Sequence, residues 1–253
     1  MADPIRVEID GDVMSVVIDR EDRRNALNDA ALAAIARALD EGERRGLAAV
    51  VLAGTGVKAF SAGSDVKELA SQGLEDRVAH THLGQVLFER LEEHPAAVIA
   101  AVEGYCLGGG FEMALACDLR IAGAGATFGM PEVALHALPT WGGTYRLARA
   151  VGVARAKEVV LFGRRLSAEE AVAWGIAAEA VPAGQALPRA REIAAAVARD
   201  TDRATFARAK ALVGLGVDAP ARVARHMELL ADRAQLASEA FQRGAAGFVE
   251  GRR

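Results

Sequence analysis

The sequence predicts an α/β fold, with an α/β core over residues 1–195 and a helical region over residues 196–253. Three observations carry this. Short apolar runs of strand type alternate with amphipathic helical segments. Glycine-containing loops follow those runs, at residues 54–65 and 104–110. From Gly184 onward the pattern is almost purely helical.

Residues 5–9 and 13–19 alternate like strands about Asp10-Gly11, a favoured hairpin turn. A charged loop, Arg20 to Arg24, leads to Asn28, the expected N-cap of a helix reading DAALAAIARALDEGERR that Gly46 terminates. Leu32, Ile35, Ala36 and Leu39 share one face of it, which predicts packing on a sheet. Ala48 to Leu52 reads as a buried parallel strand. The loop over 54–65 then leads to a helical stretch, and helical residues around 75–93 stop at His94-Pro95. Ala97 to Val102 is the next strand, completing a βαβ crossover expected to be right-handed. The run breaks at Gly104 and reaches Gly108 to Gly110 before a helix-period segment begins at Phe111. Asp118 to Ile121 reads as a further strand, and Pro131 suits a helix N1 position, with Glu132 in the first turn. Helical stretches follow around 142–147 and 154–162. Ser167 to Glu170 is a capping box opening a helix that Gly175 closes. After a turn near Gly214 to Pro220, Val223 to Leu236 carries more apolar face than an isolated tail keeps in water. That face is expected to pack on the core or on a partner subunit.

Composition narrows the function classes. Just over half of the 253 residues are hydrophobic and a quarter are charged, which fits an ordered, helix-rich globule. A net charge of −4 gives no general attraction for phosphate backbones or anionic membranes, so neither nucleic acid nor a membrane is expected as a partner. The two cysteines, Cys106 and Cys117, support neither a disulfide framework nor a zinc ribbon and read as small buried residues. The polar start and the lack of a run of about 18 apolar residues predict a soluble protein of a reducing compartment, most simply the cytoplasm.

The chemistry concentrates at the glycine turn. Glycine permits positive φ and close approach of a ligand to peptide N–H groups, and a helix start adds unpaired donors. Such a turn stabilises an anion or a developing oxyanion. Glu112 lies just inside the helix, and Glu132 follows a second break at Gly129-Met130-Pro131. Donors for negative charge beside two acids suit proton transfer next to a carbonyl. In a parallel sheet, loops leaving the carboxyl ends of strands share one side, so the loops at Gly63 and Gly109 are expected to face a common crevice. Walker, Rossmann and G-x-S-x-G spacings are all absent. His80-Thr81-His82 reads as a solvated helix face, and no metal site is expected. His136 lies one helical turn after Glu132, where packing is its expected role.

Five motifs in order resemble the enoyl-CoA hydratase/isomerase, or crotonase, family. They are Arg24 to Asn28, Ala59 to Glu68, Gly104 to Glu112, Phe128 to Glu132, and Gly142-Gly143-Thr144. The resemblance spans nearly the whole chain. It implies a spiral of ββα units followed by a C-terminal helical region that drives trimerisation, commonly paired into hexamers. It implies a two-donor oxyanion hole from the peptide N–H groups of Ser64 and Gly109, holding the thioester oxygen of an acyl-CoA. Glu112 and Glu132 match the two catalytic glutamates of true hydratases. Backbone groups of Arg24, Ala26 and Ala62 match positions touching the nucleotide part of CoA, and Lys67 or Arg24 is placed to meet its phosphates. The implied activity is hydration of a 2-enoyl-CoA, the alternatives being isomerisation, thioester hydrolysis or a non-catalytic scaffold. CoA enters as part of the substrate, with no separate cofactor. Three departures bear on substrate choice: Trp141 is expected to narrow the acyl pocket, His136 stands in a stretch usually apolar, and the chain ends at Arg253 without the lysine- and proline-bearing tail of many relatives.

Overall fold

The structure, a computed structural model, describes residues 3–251. Expectations attached to Met1-Ala2 and to the end at Arg252-Arg253 lie outside the described residues. The chain opens with a hairpin, β1 (Ile5–Asp10) and β2 (Val13–Ile18), paired antiparallel from Ile5↔Ile18 to Asp10↔Val13. Its turn is Gly11-Asp12, one position later than the spacing predicts, because Gly11 supplies the positive φ of 55°. α1 (Asp29–Arg45) starts where Asn28 Oδ1 accepts the Ala31 amide and ends at left-handed Gly46, the two caps the sequence predicts. β3 (Ala49–Gly54) leads through β4 (Ala59–Ser61), α2 (Val66–Ala70) and α3 (Leu74–Glu93) to β5 (Ala97–Val102). Next come β6 (Tyr105–Leu107), α4 (Gly109–Ala116), β7 (Leu119–Gly123) and β8 (Thr127–Gly129). A 3₁₀ turn, Glu132–Leu135, precedes α5 (Gly143–Val151), α6 (Val153–Val160), β9 (Leu166–Ser167), α7 (Ala168–Ala173) and β10 (Glu179–Val181). Four helices finish the chain: α8 (Ala186–Asp200), α9 (Arg203–Gly216), α10 (Ala221–Leu236) and α11 (Glu239–Val249).

The strands form two sheets. The larger runs β1-β2-β3-β5-β7-β10 and is parallel except for the opening hairpin. Its central strands are buried along their length, and side-chain alternation divides them between two apolar layers. Met14, Val16, Val50, Leu52, Val98 and Ala100 face the core shared with α1, α3 and α4. Ala49, Val51, Ala97, Ile99 and Ile121 face α8, which buries Ala186, Ala190 and Ala194 on one stripe. Small residues on both sides of that second layer let helix and sheet approach closely. α8 runs through residues 195 and 196, whereas α9, α10 and α11 bury none of their residues and expose Val213, Leu215, Leu229 and Leu230.

The smaller sheet, β4-β6-β8-β9, corrects the sequence reading. Residues 59–61 and 105–107 read as parts of loops and 127–129 carry no strand signal, yet each is a three-residue strand: β4 pairs in parallel with β6 and β6 with β8, Ser61 beside Cys106 and Leu107 beside Gly129, and β9 closes the sheet antiparallel to β8. Strands this short leave no periodicity to detect. Each turn of the chain thus gives one strand to each sheet before entering a helix: β3-β4, β5-β6 and β7-β8. This is the spiral of ββα units the resemblance implies; the βαβ crossover from β3 to β5 stands, with β4 inserted before its helices.

Two local expectations also change. α4 begins at Gly109 rather than at Phe111, with Gly108 as its N-cap. Pro131 is the N-cap of a single 3₁₀ turn rather than N1 of a helix, because left-handed His136 (φ 57°) closes the turn after one revolution. His136 is exposed rather than packed into the core.

Asn25 shows how the small sheet is held. It is fully buried at φ 54°, a conformation asparagine tolerates, and donates from Nδ2 to the carbonyls of Ala59 (2.7 Å) and Thr55 (3.1 Å) while Oδ1 accepts the Arg20 amide (3.1 Å). Asn25→Ala strands those buried groups and is expected to cost about 2–3 kcal/mol in urea unfolding with an unchanged m-value.

Candidate active site

Three loops build the site, and each leaves the carboxyl end of one small-sheet strand. Ala62-Gly63-Ser64 follows β4, Gly108-Gly109 follows β6, and Met130-Pro131-Glu132 follows β8. Hydrogen bonds tie them together. Gly108 N donates to Gly129 O (2.9 Å), and the segment around Leu27 lies along the first loop through Leu27 N to Gly63 O (2.8 Å) and Asp65 N to Leu27 O (2.9 Å). Gly63 has φ 94°, and a Cβ there would sit 3.0 Å from the Gly109 amide nitrogen, so only glycine lets the first two loops come this close. The loops converge as the sequence predicts, but from β4 and β6 rather than from β3 and β5.

Ala62, Ser64, Gly109, Glu112 and Glu132 line one cavity of about 450 Å³. Neither the Ser64 nor the Gly109 amide donates to another group among the described residues, and Gly109 N belongs to the orphan donors of a helix start. A Cβ built on Gly109 would lie 3.4 Å from Ser64 N, which brings the two free donors to the same wall.

Glu112 is 2% exposed, in the first turn of α4. Its Oε1 accepts the amides of Trp141 and Gly143, each at 2.8 Å, while Oε2 accepts nothing among the described residues. Burial pushes its carboxyl up to about 7; the Gly143 amide opposes this and the charge of Glu132 adds to it. Glu132 opens the 3₁₀ turn, and burial raises its carboxyl as well. Its Oε2 is buried without a hydrogen-bond partner. A buried orphan acceptor costs about 1–3 kcal/mol, a cost that a proton on it or a ligand against it removes. Gly108, at φ 52°, makes room for this acid: a Cβ there would meet Glu132 Oε1 at 2.8 Å.

Trp141 closes the far wall. It is 4% exposed, stands edge-on to Phe88 with ring centroids 5.3 Å apart, and fills the space above Gly84 and Gly109. The indole thus occupies volume at the cavity wall, and the Trp141 backbone amide anchors Glu112. Arg146 fixes this corner by donating to Trp141 O (2.9 Å) and to Glu92 Oε2 (2.7 Å).

Of the remaining candidates only Ala62 lines this cavity; Arg24, Ala26 and Lys67 do not. Ala62 donates its amide to Arg24 O (3.0 Å). Ala26 is buried, and its carbonyl accepts the Arg20 guanidinium. Arg24 is exposed and lies over the Tyr105 ring, 5.7 Å from its centroid. Lys67 is exposed in a shallow cleft with Arg20, Arg23, Asp65 and Glu68. Arg20 was not singled out in the sequence, yet it donates to Asp65 Oδ2 at 2.9 Å. Burial alone raises the Asp65 carboxyl, but the Arg20 hydrogen bond and the Glu68 amide hold it below its ordinary value.

His80 overturns a sequence expectation. It is 4% exposed rather than solvated, and it lines the cavity. Its Nε2 lies 2.6 Å from Ser64 Oγ, and its Nδ1 lies 2.5 Å from Asp29 Oδ1. No local spacing signals this group, since its members stand on α1, the β4–α2 loop and α3. Cys106 and Cys117 are buried free thiols, as expected, and burial pushes Cys117 up to about 12. Among the described residues no helix is long and apolar enough to cross a membrane.

Known proteins share this framework. The chain is similar to the short-chain-enoyl-CoA hydratase of Clostridium acetobutylicum, 39% identical over 189 residues that cover 74% of this chain and 72% of that one. It is 35% identical over 200 residues to the 2,3-dehydroadipyl-CoA hydratase of Escherichia coli, covering 79% and 78% of the two chains. The crystal structure of an enoyl-CoA hydratase from Bacillus anthracis superposes with a TM-score of 0.94 at 35% identity, over 98% of this chain and 97% of that one.

The Glu112 environment makes a thermodynamic prediction. Its folded carboxyl titrates above the ordinary 4.5, so the native state holds a proton that the unfolded chain releases between about pH 4.5 and 7. Stability therefore falls as pH rises through that window, by up to roughly 3 kcal/mol from this group. Glu112→Gln, which keeps an acceptor for both amides, should flatten that decline in unfolding curves recorded across the window.

The enoyl-CoA hydratase/isomerase model matches residues 8–253, and with these relatives it settles the family: the chain belongs to the enoyl-CoA hydratase/isomerase, or crotonase, family.

Proposed function

We propose that this enzyme reversibly adds water across the 2,3 double bond of a 2-enoyl-CoA thioester to give a 3-hydroxyacyl-CoA. The observation that carries this reading is the pair Glu112 and Glu132 on one cavity with two unengaged amides. The thioester oxygen accepts from Ser64 N and Gly109 N, which polarises the carbonyl and stabilises the enolate formed during addition. Each donor of this kind is worth on the order of 10²–10³ in rate. Glu112 positions and activates water through Oε2, its other oxygen being anchored by Trp141 and Gly143. Glu132 delivers a proton to Cα. Burial raises both carboxyls, Glu112 to about 7, which brings proton exchange by these acids toward neutral pH. Dehydration reverses these steps.

Backbone groups of Arg24, Ala26 and Ala62 receive the nucleotide part of CoA, and the cations of Lys67 and Arg24 meet its phosphates. The reaction needs no cofactor beyond the CoA carried by the substrate. Residues 196–253 serve assembly into trimers or hexamers through the apolar side chains that α9, α10 and α11 leave exposed.

Glu112→Gln and Glu132→Gln should each lower turnover of a 2-enoyl-CoA by about 10²–10⁴-fold with the circular dichroism unchanged. Near wild-type hydration by either folded variant overturns the assignment, as does a shifted double bond without added water. Sedimentation should show trimers or hexamers at micromolar concentration; a stable monomer removes the assembly role of the C-terminal helices.

A further inference from the structure

We propose that Ser64, His80 and Asp29 form a nucleophilic relay that gives this enzyme a second activity, cleavage of acyl-CoA thioesters through an acyl-Ser64 intermediate. The inference rests on the reading that the cavity receives an acyl thioester, and it assigns a role to side chains that hydration does not use.

The geometry is that of an activated hydroxyl. Asp29 Oδ1 lies 2.5 Å from His80 Nδ1, and a carboxylate only accepts, so Nδ1 carries the ring proton. In the neutral ring Nε2 is then the acceptor, and Ser64 Oγ donates to it at 2.6 Å. Nucleophile, base and orienting carboxylate stand in hydrogen-bond sequence, the arrangement by which a serine is activated. The ring also packs against Trp141, 5.1 Å between centroids, which supports the imidazole beside Oγ. Ser64 and His80 both line the cavity, and Asp29 lies behind them at the start of α1. The carbonyl oxygen that Ser64 N would receive brings its carbon next to the Oγ of the same residue. A nucleophile whose own amide serves the oxyanion needs no further rearrangement.

The steps balance. Ser64 Oγ bonds to the thioester carbon as its proton passes to His80 Nε2, and the carbonyl electrons move to the oxygen held by the two amides. Collapse breaks the C–S bond, and His80 gives its proton to the departing CoA sulfur. Water then attacks the acyl-serine ester, its proton passing to His80 Nε2. The C–Oγ bond breaks, and Oγ takes that proton back. The sum is acyl-CoA and water to carboxylic acid and free CoA.

The test uses the full-length protein and two probes. An alkyl fluorophosphonate, which reports an activated serine without any CoA, should form a single adduct that peptide mapping places on Ser64. Butanoyl-CoA, which has no double bond to hydrate, should release free thiol, and quenching should trap one butanoyl group on Ser64. His80→Gln should slow both by about 10²–10⁴-fold, and Ser64→Ala should abolish adduct and thiol release. Asp29→Asn should slow adduct formation by about tenfold or more without moving the unfolding midpoint, an effect that packing alone does not produce. Wild-type protein that gives no adduct, or gives it elsewhere, overturns the relay, as does thiol release unchanged in Ser64→Ala. An adduct at Ser64 in a protein that hydrates no enoyl-CoA upholds the relay and rejects hydration; hydration without an adduct does the reverse.

Discussion

The parallel pairing of β4, β6 and β8 is the constraint on which the site depends. Each strand has three residues, too few to be stable alone, and each is fixed because the larger sheet has already placed the strand that precedes it in the chain. Once Ser61 lies beside Cys106 and Leu107 beside Gly129, the three following loops must emerge at one edge. Gly63, Gly108 and Glu132 then meet with no freedom left to separate. A slip of one residue in this sheet would turn the side chains over and carry the two free amides apart.

Electrostatics follow from that convergence. Glu112 is brought into the core by α4, whose first turn it occupies, and the backbone of the Trp141–Gly143 bend meets only one of its oxygens. Two amides compensate the charge incompletely, so burial prevails and the carboxyl rises to about 7. Glu132 has still less compensation, with Oε2 buried and unpaired. Such orphaned groups are tolerated where a ligand or a proton completes them. The instability stored in these acids is the same feature that makes them ready to exchange protons. Trp141 links this corner to the opposite wall of the cavity, because its amide holds Glu112 while its ring packs on Phe88 and His80.

The packing of small residues explains the rest of the architecture. Alanines on β3, β5 and α8 let the helix lie close on one face of the main sheet, while larger side chains fill the opposite layer. The last three helices have no such buried stripe, and their exposed apolar side chains mark them as a surface that the single chain leaves uncovered.

The sequence by itself determined the elements whose signals are local. Asn28 and Gly46 mark the ends of α1, Ser167 and Glu170 the start of α7, and the apolar runs at 48–52 and 97–102 two strands of the main sheet. Hydrogen bonds and periods within a few residues decide those features, so they survive without the fold. It also pointed to Glu112, Glu132 and the turn at Gly109, and the family resemblance added Ser64; the structure gathers all four on one cavity. Only the tertiary structure decided the small sheet, the 3₁₀ turn at Glu132 and the burial of His80 between Ser64 and Asp29. Strand pairing across 45 residues and a hydrogen-bond chain across three elements depend on where distant backbone is held, and no spacing along the chain encodes that position.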